Sequence, residues 1–207
     1  MPTACLSTAY LAPIPYYVKL ATFDVIYLET MERYVKQTYR NRCHIASANG
    51  IQALTVPIEK PTTQKALIRD IRISNHGNWR HIHWNTFVSA YNLSPFFEYY
   101  ADDFRPFYEK KIDFLIDFNE SLQTMICDLL GLHPAVIPTT EYSPVVENDF
   151  RMAINPRSVQ PDEQLTLRPY FQVFQSKYDF IPNLSIVDLL FNMGPESYVV
   201  LRSATGG

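Results

Sequence analysis

Residues 4–28 read A-C-L-S-T-A-Y-L-A-P-I-P-Y-Y-V-K-L-A-T-F-D-V-I-Y-L, and this stretch decides the fold class. Ala4 to Thr8 reads as a short strand. Pro13 and Pro15 flank the turn that follows, and Tyr16 to Phe23 has helical spacing, with Tyr17, Leu20 and Phe23 on one face. Asp24 to Leu28 reads as a second strand. Strand, helix and strand in so short a span form a crossover, and such crossovers join parallel strands of an α/β sheet. The expected architecture is α/β, opening with a βαβ unit and containing a mixed sheet.

Outward from this unit, Gln52 to Val56, closed by Pro57, reads as a strand, and so does Ala66 to Ile73, although its isoleucines do not alternate strictly. Trp79 to Tyr91 has helical spacing. Ser94-Pro95 opens another helix with proline at its first position. Pro106 to Leu115 and Phe118 to Leu130 are expected as two further helices. The second of these carries a capping box, Asp117 with Glu120, and a glycine stop at Gly131. Residues 134–169 are rich in proline and read as loops, Tyr170 to Phe174 as a strand, and Ser185 to Asp188 as the opening of a last helix ending at Gly194. Neither a repeat nor a linker interrupts the chain, so a single domain over residues 1–207 with a helical insertion near 79–131 is expected.

Composition narrows the function classes. With 47% hydrophobic and 19% charged residues, the 207-residue chain can bury a sizeable core. Only six glycines are present, which excludes the glycine-rich phosphate loops and dinucleotide fingerprints, because backbone amides need glycines to approach a phosphate closely. The formal charge is −3, with acidic and basic residues interleaved, so no nucleic-acid duplex is expected as a partner. Cys5, Cys43 and Cys127 form neither a disulfide framework nor a metal knuckle. Cys127 lies in an apolar helical run and reads as a core residue. The Met1-Pro2-Thr3 start lacks a basic leader, and no apolar run approaches the ~20 residues of a membrane span. The chain reads as a reduced, cytoplasmic protein with a frayed tail at 203–207.

Chemistry concentrates in Glu29 to His44, E-T-M-E-R-Y-V-K-Q-T-Y-R-N-R-C-H. It begins where the second strand ends, and ligands of open α/β sheets sit outside the carboxyl ends of strands. Arginine grips phosphate or carboxylate at two points, and tyrosine beside it can stack on a base or sugar. The bland alternative is a solvated hairpin with ordinary ion pairs. A second cluster, Asn75 to Trp84, holds His76, His81 and His83; histidine titrates near neutrality and is the usual general base. No third ligand stands at metal-site spacing, so no metal or other cofactor is expected. Asp102-Asp103 points along two directions of a helix and reads as an N-terminal cap rather than an ion grip.

Several motifs together resemble the WbqC-like protein family. They are Tyr10-Leu11-Ala12-Pro13-Ile14-Pro15-Tyr16-Tyr17, Lys36-Gln37-Thr38-Tyr39-Arg40-Asn41-Arg42, Leu54-Thr55-Val56-Pro57, Trp79 with His83-Trp84, Ser89-Ala90-Tyr91, Ser94-Pro95-Phe96-Phe97-Glu98, Asp149-Phe150-Arg151, and Asn183 to Asn192. The family more often carries Asp-x-x-Gln near Glu32-Arg33, and this chain departs from it there. The resemblance implies a role in bacterial O-antigen or other surface polysaccharide biosynthesis, with glycine or another acyl group transferred to a nucleotide-linked amino sugar. On that reading Lys36, Arg40 and Arg42 hold phosphate, and Tyr39 or Trp84 covers base or sugar. Asn41 orients an acyl carbonyl, and His83 takes the amine proton with Glu98 as its orienting partner. The partners are then a nucleotide sugar, an activated acyl donor such as a thioester, and a protein of polysaccharide assembly. The competing readings are a non-catalytic sugar-nucleotide binding module and a glycosyltransferase.

Overall fold

In a computed structural model that describes residues 1–61, 63, 65–156 and 165–204, the chain is an α/β fold. β1 (Thr3–Ser7), α1 (Ile14–Thr22) and β2 (Val25–Glu29) form the expected βαβ unit, and β1 pairs with β2 in parallel, Thr3 opposite Val25 through Ser7 opposite Glu29. Two prolines start α1, where a missing N–H costs nothing. Its inner face buries Ile14, Tyr17, Val18 and Leu20. β3 (Arg42–Ser47) and β4 (Gly50–Thr55) form an antiparallel hairpin around Ala48-Asn49, with Gly50 at φ +100°. Parallel and antiparallel pairings are thus carried on two separate sheets.

Three helices supply the insertion: α2 (Trp79–Tyr91), α3 (Phe97–Glu109) and α4 (Leu115–Leu130). β5 (Ala135–Pro138) then returns to pair in parallel with β2, giving the order β1-β2-β5. This strand lies inside the stretch expected as loops; it is an exposed edge strand, so it lacks the half-buried alternation by which strands are read. The chain closes with α5 (Gln175–Tyr178), α6 (Ile186–Met193) and α7 (Ser197–Ser203). Ser185 caps α6 as its spacing suggests, and Gly194 ends it, but α7 follows, so α6 is not the last helix. The buried apolar side chains form one cluster that draws on both sheets and all three inserted helices.

Other expectations are corrected. Residues 66–73 are not a strand: Ile68–Asp70 is a turn of 3-10 helix that buries Ile68 and Ile71, three apart, while Ile73 bridges singly to Ile58. No helix starts at Pro106. α3 runs through it, because Phe97, Tyr100, Phe104 and Tyr108 form a continuous buried stripe whose packing outweighs the roughly 3 kcal/mol of an internal proline. The capping box does not form either. Phe114 occupies the cap of α4, and Asp117 sits inside its first turn, favouring the helix through its dipole instead. Gly131 stops α4 in the left-handed conformation, φ +66°, as its position predicts. Asp102 and Asp103 are exposed in the middle of α3 and cap nothing. Tyr170 to Phe174 is not a strand. Tyr170 and Gln172 alternate inward to bind the Asp188 carboxylate, so the period of two comes from a polar anchor and not from a sheet. All three cysteines are free and buried. Residues 157–164 of the loop stretch and 205–207 of the tail lie outside the described residues.

Candidate functional site

The carboxyl end of β1 borders a narrow cleft of about 10 Å³, room for about one water, lined by Ser7, Thr8, Tyr16, Tyr39, Arg40 and Arg151, among others. This is the edge at which parallel α/β sheets bind ligands. Arg40 donates through Nε and Nη2 to both oxygens of Glu32, at 2.7 and 2.6 Å, and through Nη2 to the Ser7 hydroxyl at 2.7 Å. The two side chains are 3% and 8% exposed. Arg151 donates through Nη1 to Glu29 at 2.8 Å and grips Asp149 with Nε and Nη2, at 2.9 and 2.6 Å. Arg151 and Glu29 are 4% and 1% exposed. Glu29 also accepts from the Met31 amide and the Thr139 hydroxyl. The Ser7 hydroxyl donates to the Arg151 carbonyl, so one serine joins the two ion pairs.

Neutral groups complete the ring. Asn119 of α4 donates to the Thr8 hydroxyl and the Arg40 carbonyl, and Tyr16 donates to Gln123. Among the described residues the Oδ1 atoms of Asn119 and of the buried Asn41 have no hydrogen-bond partner. Two electrostatic effects follow from the packing. Arg151 holds the Asp149 carboxyl below its ordinary range through direct hydrogen bonds. Burial raises the Cys5 thiol on β1 to about 11, against the opposing pull of Arg151, so it stays protonated.

Of the residues singled out from sequence, Tyr39 and Arg40 line this cleft, and Asn41 is buried beside them with Nδ2 donating to the Val56 carbonyl. Arg42 opens β3; its Nε is buried without a partner among the described residues, and Lys36 is exposed. His83, 3% exposed, faces the core from α2. Its Nδ1 meets the Tyr10 hydroxyl at 2.9 Å, Tyr10 meets Tyr108 at 2.8 Å, and a second hydrogen bond ties the ring to the Thr55 backbone. Burial pushes this imidazole down to about 4, so it is neutral at pH 7. Glu98 is exposed on α3, whereas this ring is buried. Trp84 packs its ring about 6.1 Å from those of Phe97 and Tyr108. His76 and His81 are exposed.

Residue spacing did not reveal Ser7, Glu29, Asp149 and Arg151 as one group. The available signal was Asp149-x-Arg151, a local pair whose second partner, Glu29, lies 122 positions away. Among the described residues no three His, Cys, Asp or Glu side chains converge as metal ligands, and no helix is long and apolar enough to cross a membrane.

Fold and cleft together define an open α/β protein with a buried ionic network at the carboxyl edge of its parallel strands. A sequence model of the WbqC-like protein family matches residues 8–165, and the chain belongs to that family. The uncharacterized protein Rv1507c of Mycobacterium tuberculosis is 26% identical over 224 residues, covering 96% of each chain. No solved structure matches significantly.

Proposed function

We propose that this chain is a transferase that binds a nucleotide-linked amino sugar on the surface outside the carboxyl ends of its parallel strands and moves an acyl or aminoacyl group onto its amine, in the assembly of a surface polysaccharide. The observation that carries this reading is the pair of buried ion pairs, Arg40–Glu32 and Arg151–Glu29, joined by Ser7 at the strand ends. Buried pairs add little stability over an apolar core, so their concentration at a ligand-binding edge favours a functional role.

The geometry supports a division of labour different from the one sequence suggests. Arg40 commits Nε and Nη2 to Glu32 and Ser7, so it orients those groups, and phosphate falls mainly to Lys36 and Arg42, which form no ion pair among the described residues. The unpartnered atom of Asn41 is an oxygen, suited to accept from the substrate amine and not to polarise a carbonyl. In the transfer, the amine nitrogen forms the new C–N bond, the thioester or ester bond of the donor breaks, and the amine proton leaves with the released thiol or alcohol. His83 acts as a positioning residue: it holds Tyr10, whose backbone N–H donates to the Tyr39 carbonyl at 2.8 Å.

The test pairs binding with product mass. A nucleotide amino sugar is expected to raise the melting temperature by linkage, and Lys36→Ala with Arg42→Ala to abolish the rise. With an acyl-CoA or aminoacyl donor present, the acceptor gains one acyl unit. Absence of a thermal shift across the panel overturns the reading, and binding with unchanged acceptor mass makes the chain a sugar-nucleotide binding module instead.

A further inference from the structure

A second concavity of about 340 Å³ lies between the β3–β4 hairpin and the outward face of α2. This volume is in the range of small-molecule sites. Its walls are Ser47 and Gln52 on the hairpin and His81, Asn85, Thr86 and Ser89 on the helix. The helical spacing explains the grouping. Trp79, His83 and Phe87 turn into the core, so the residues at 81, 85 and 89 and at 82 and 86 come together on the outward side, with Ala90 at the groove's edge.

The lining has a definite chemistry. It carries hydroxyls, amides and an imidazole, and no carboxylate, ammonium or guanidinium. Some of these groups are already held: Asn85 Nδ2 meets His81 Nε2 at 2.8 Å, and Thr86 donates to the Ile82 carbonyl at 2.7 Å. Gln52 and Ser89 make no side-chain hydrogen bond among the described residues, so an amide and a hydroxyl stay available within the groove. At the hairpin tip, Lys177 Nζ and Tyr178 Oη both donate to the Ala48 carbonyl, at 2.7 and 2.8 Å. That ammonium sits at the hairpin tip and is not part of the groove's lining. Ile82, 57% exposed, adds an apolar flank to the polar wall.

An anion needs a cation or a run of free N–H groups, and a cation needs a carboxylate; this groove offers neither. Mixed neutral donors and acceptors beside one aliphatic surface match a ring that displays hydroxyls at its edge and C–H groups on its face. We infer that the groove is a binding site for a neutral sugar, formed by α2 and the hairpin and separate in its lining from the cleft of Ser7 and Arg40. It stands independently of the transferase reading, because none of its residues enters that mechanism.

Saturation-transfer NMR on the full chain tests it with glucose, galactose, N-acetylglucosamine and lactose as probes, and inorganic phosphate as the charged comparator. At least one neutral sugar is expected to receive saturation. Gln52→Ala and Asn85→Ala should each weaken it about fivefold, the loss of roughly one hydrogen bond, while melting as the parent does. Lys36→Ala should leave the sugar signal unchanged and affect only nucleotide-sugar binding, so the two sites fail or succeed separately. A stronger response to lactose than to its component monosaccharides assigns the groove to a glycan rather than a single ring. No transfer to any sugar, transfer that survives both groove variants, or preferential binding of phosphate overturns the inference.

Discussion

Arg40 spends two of its donors on one carboxylate, Glu32, eight residues earlier in the chain, and both groups lie out of reach of solvent. Removing either partner strands a charge in the interior, at a cost of about 3–5 kcal/mol. Glu32→Ala and Arg40→Ala are each expected to lower the urea midpoint accordingly, whereas the double variant costs much less than the sum, since it strands nothing. Strictly additive losses in that cycle refute a direct pairing. His83 gives the second prediction at this scale. Its folded value of about 4 lies below the ordinary 6.5, so the native state binds fewer protons than the unfolded chain between these pH values. Its stabilising contribution is complete above pH 6.5 and is lost as pH falls toward 4, amounting to about 3 kcal/mol. His83→Gln should flatten the fall in unfolding free energy over that window relative to the parent. Sequence brought Tyr39, Arg40 and Asn41 to attention because they are dense in one segment. It presented Arg40 as a free cation and His83 as a free base because burial and partners come from segments far away: Ser7 is 33 positions from Arg40, and Tyr10 is 73 from His83.

Among the elements, those with a complete local signal were legible. α2 runs from Trp79 to Tyr91 as its apolar spacing predicts, and the βαβ opening follows from two short apolar strands around an amphipathic helix. Elements governed by distant partners were not. β5 exists because the exposed edge of β2 accepts it, and residues 170–172 hold an extended pattern because Tyr91, Tyr170 and Gln172 all donate to the buried Asp188 of α6. The junction after α6 offers a test of how tightly such packing is specified. Gly194 has φ +54°, and a Cβ there falls 2.5 Å from the Phe96 ring. Gly194→Ala therefore meets backbone strain and a steric clash together and is expected to destabilise by about 1–3 kcal/mol. In a Phe96→Ala background the clash disappears and only the backbone part remains, so the penalty of Gly194→Ala shrinks. An equal penalty in both backgrounds excludes the ring contact.

The whole molecule is joined across the cleft by contacts of very long sequence separation. The stretch around Asn148 to Arg151 docks on β1 through the Cys5 amide to the Asn148 carbonyl, the Phe150 amide to the Cys5 carbonyl, and Ser7 to the Arg151 carbonyl. Arg151 then reaches β2 through Glu29. Bonds to its backbone thus tie this segment beyond the helical insertion to β1, while the Arg151 guanidinium ties it to β2. Its fork matters, because it serves two carboxylates in different directions, and lysine offers one point charge in its place. Arg151→Ala leaves Glu29 buried without its cation and should cost about 3–5 kcal/mol. It should also raise amide hydrogen exchange selectively at residues 145–154, while α2 and α4 exchange as before apart from the global loss. Arg151→Lys should restore part of the stability through charge but less of the protection, since Asp149 and Glu29 cannot both be held. Unchanged exchange at 145–154 in Arg151→Ala means that the backbone bridges to Cys5 hold the segment without the ion pairs. Selective loss there means that the buried charges assemble the cleft wall itself, so that the geometry of Ser7 and Arg40 depends on a residue from the far half of the chain.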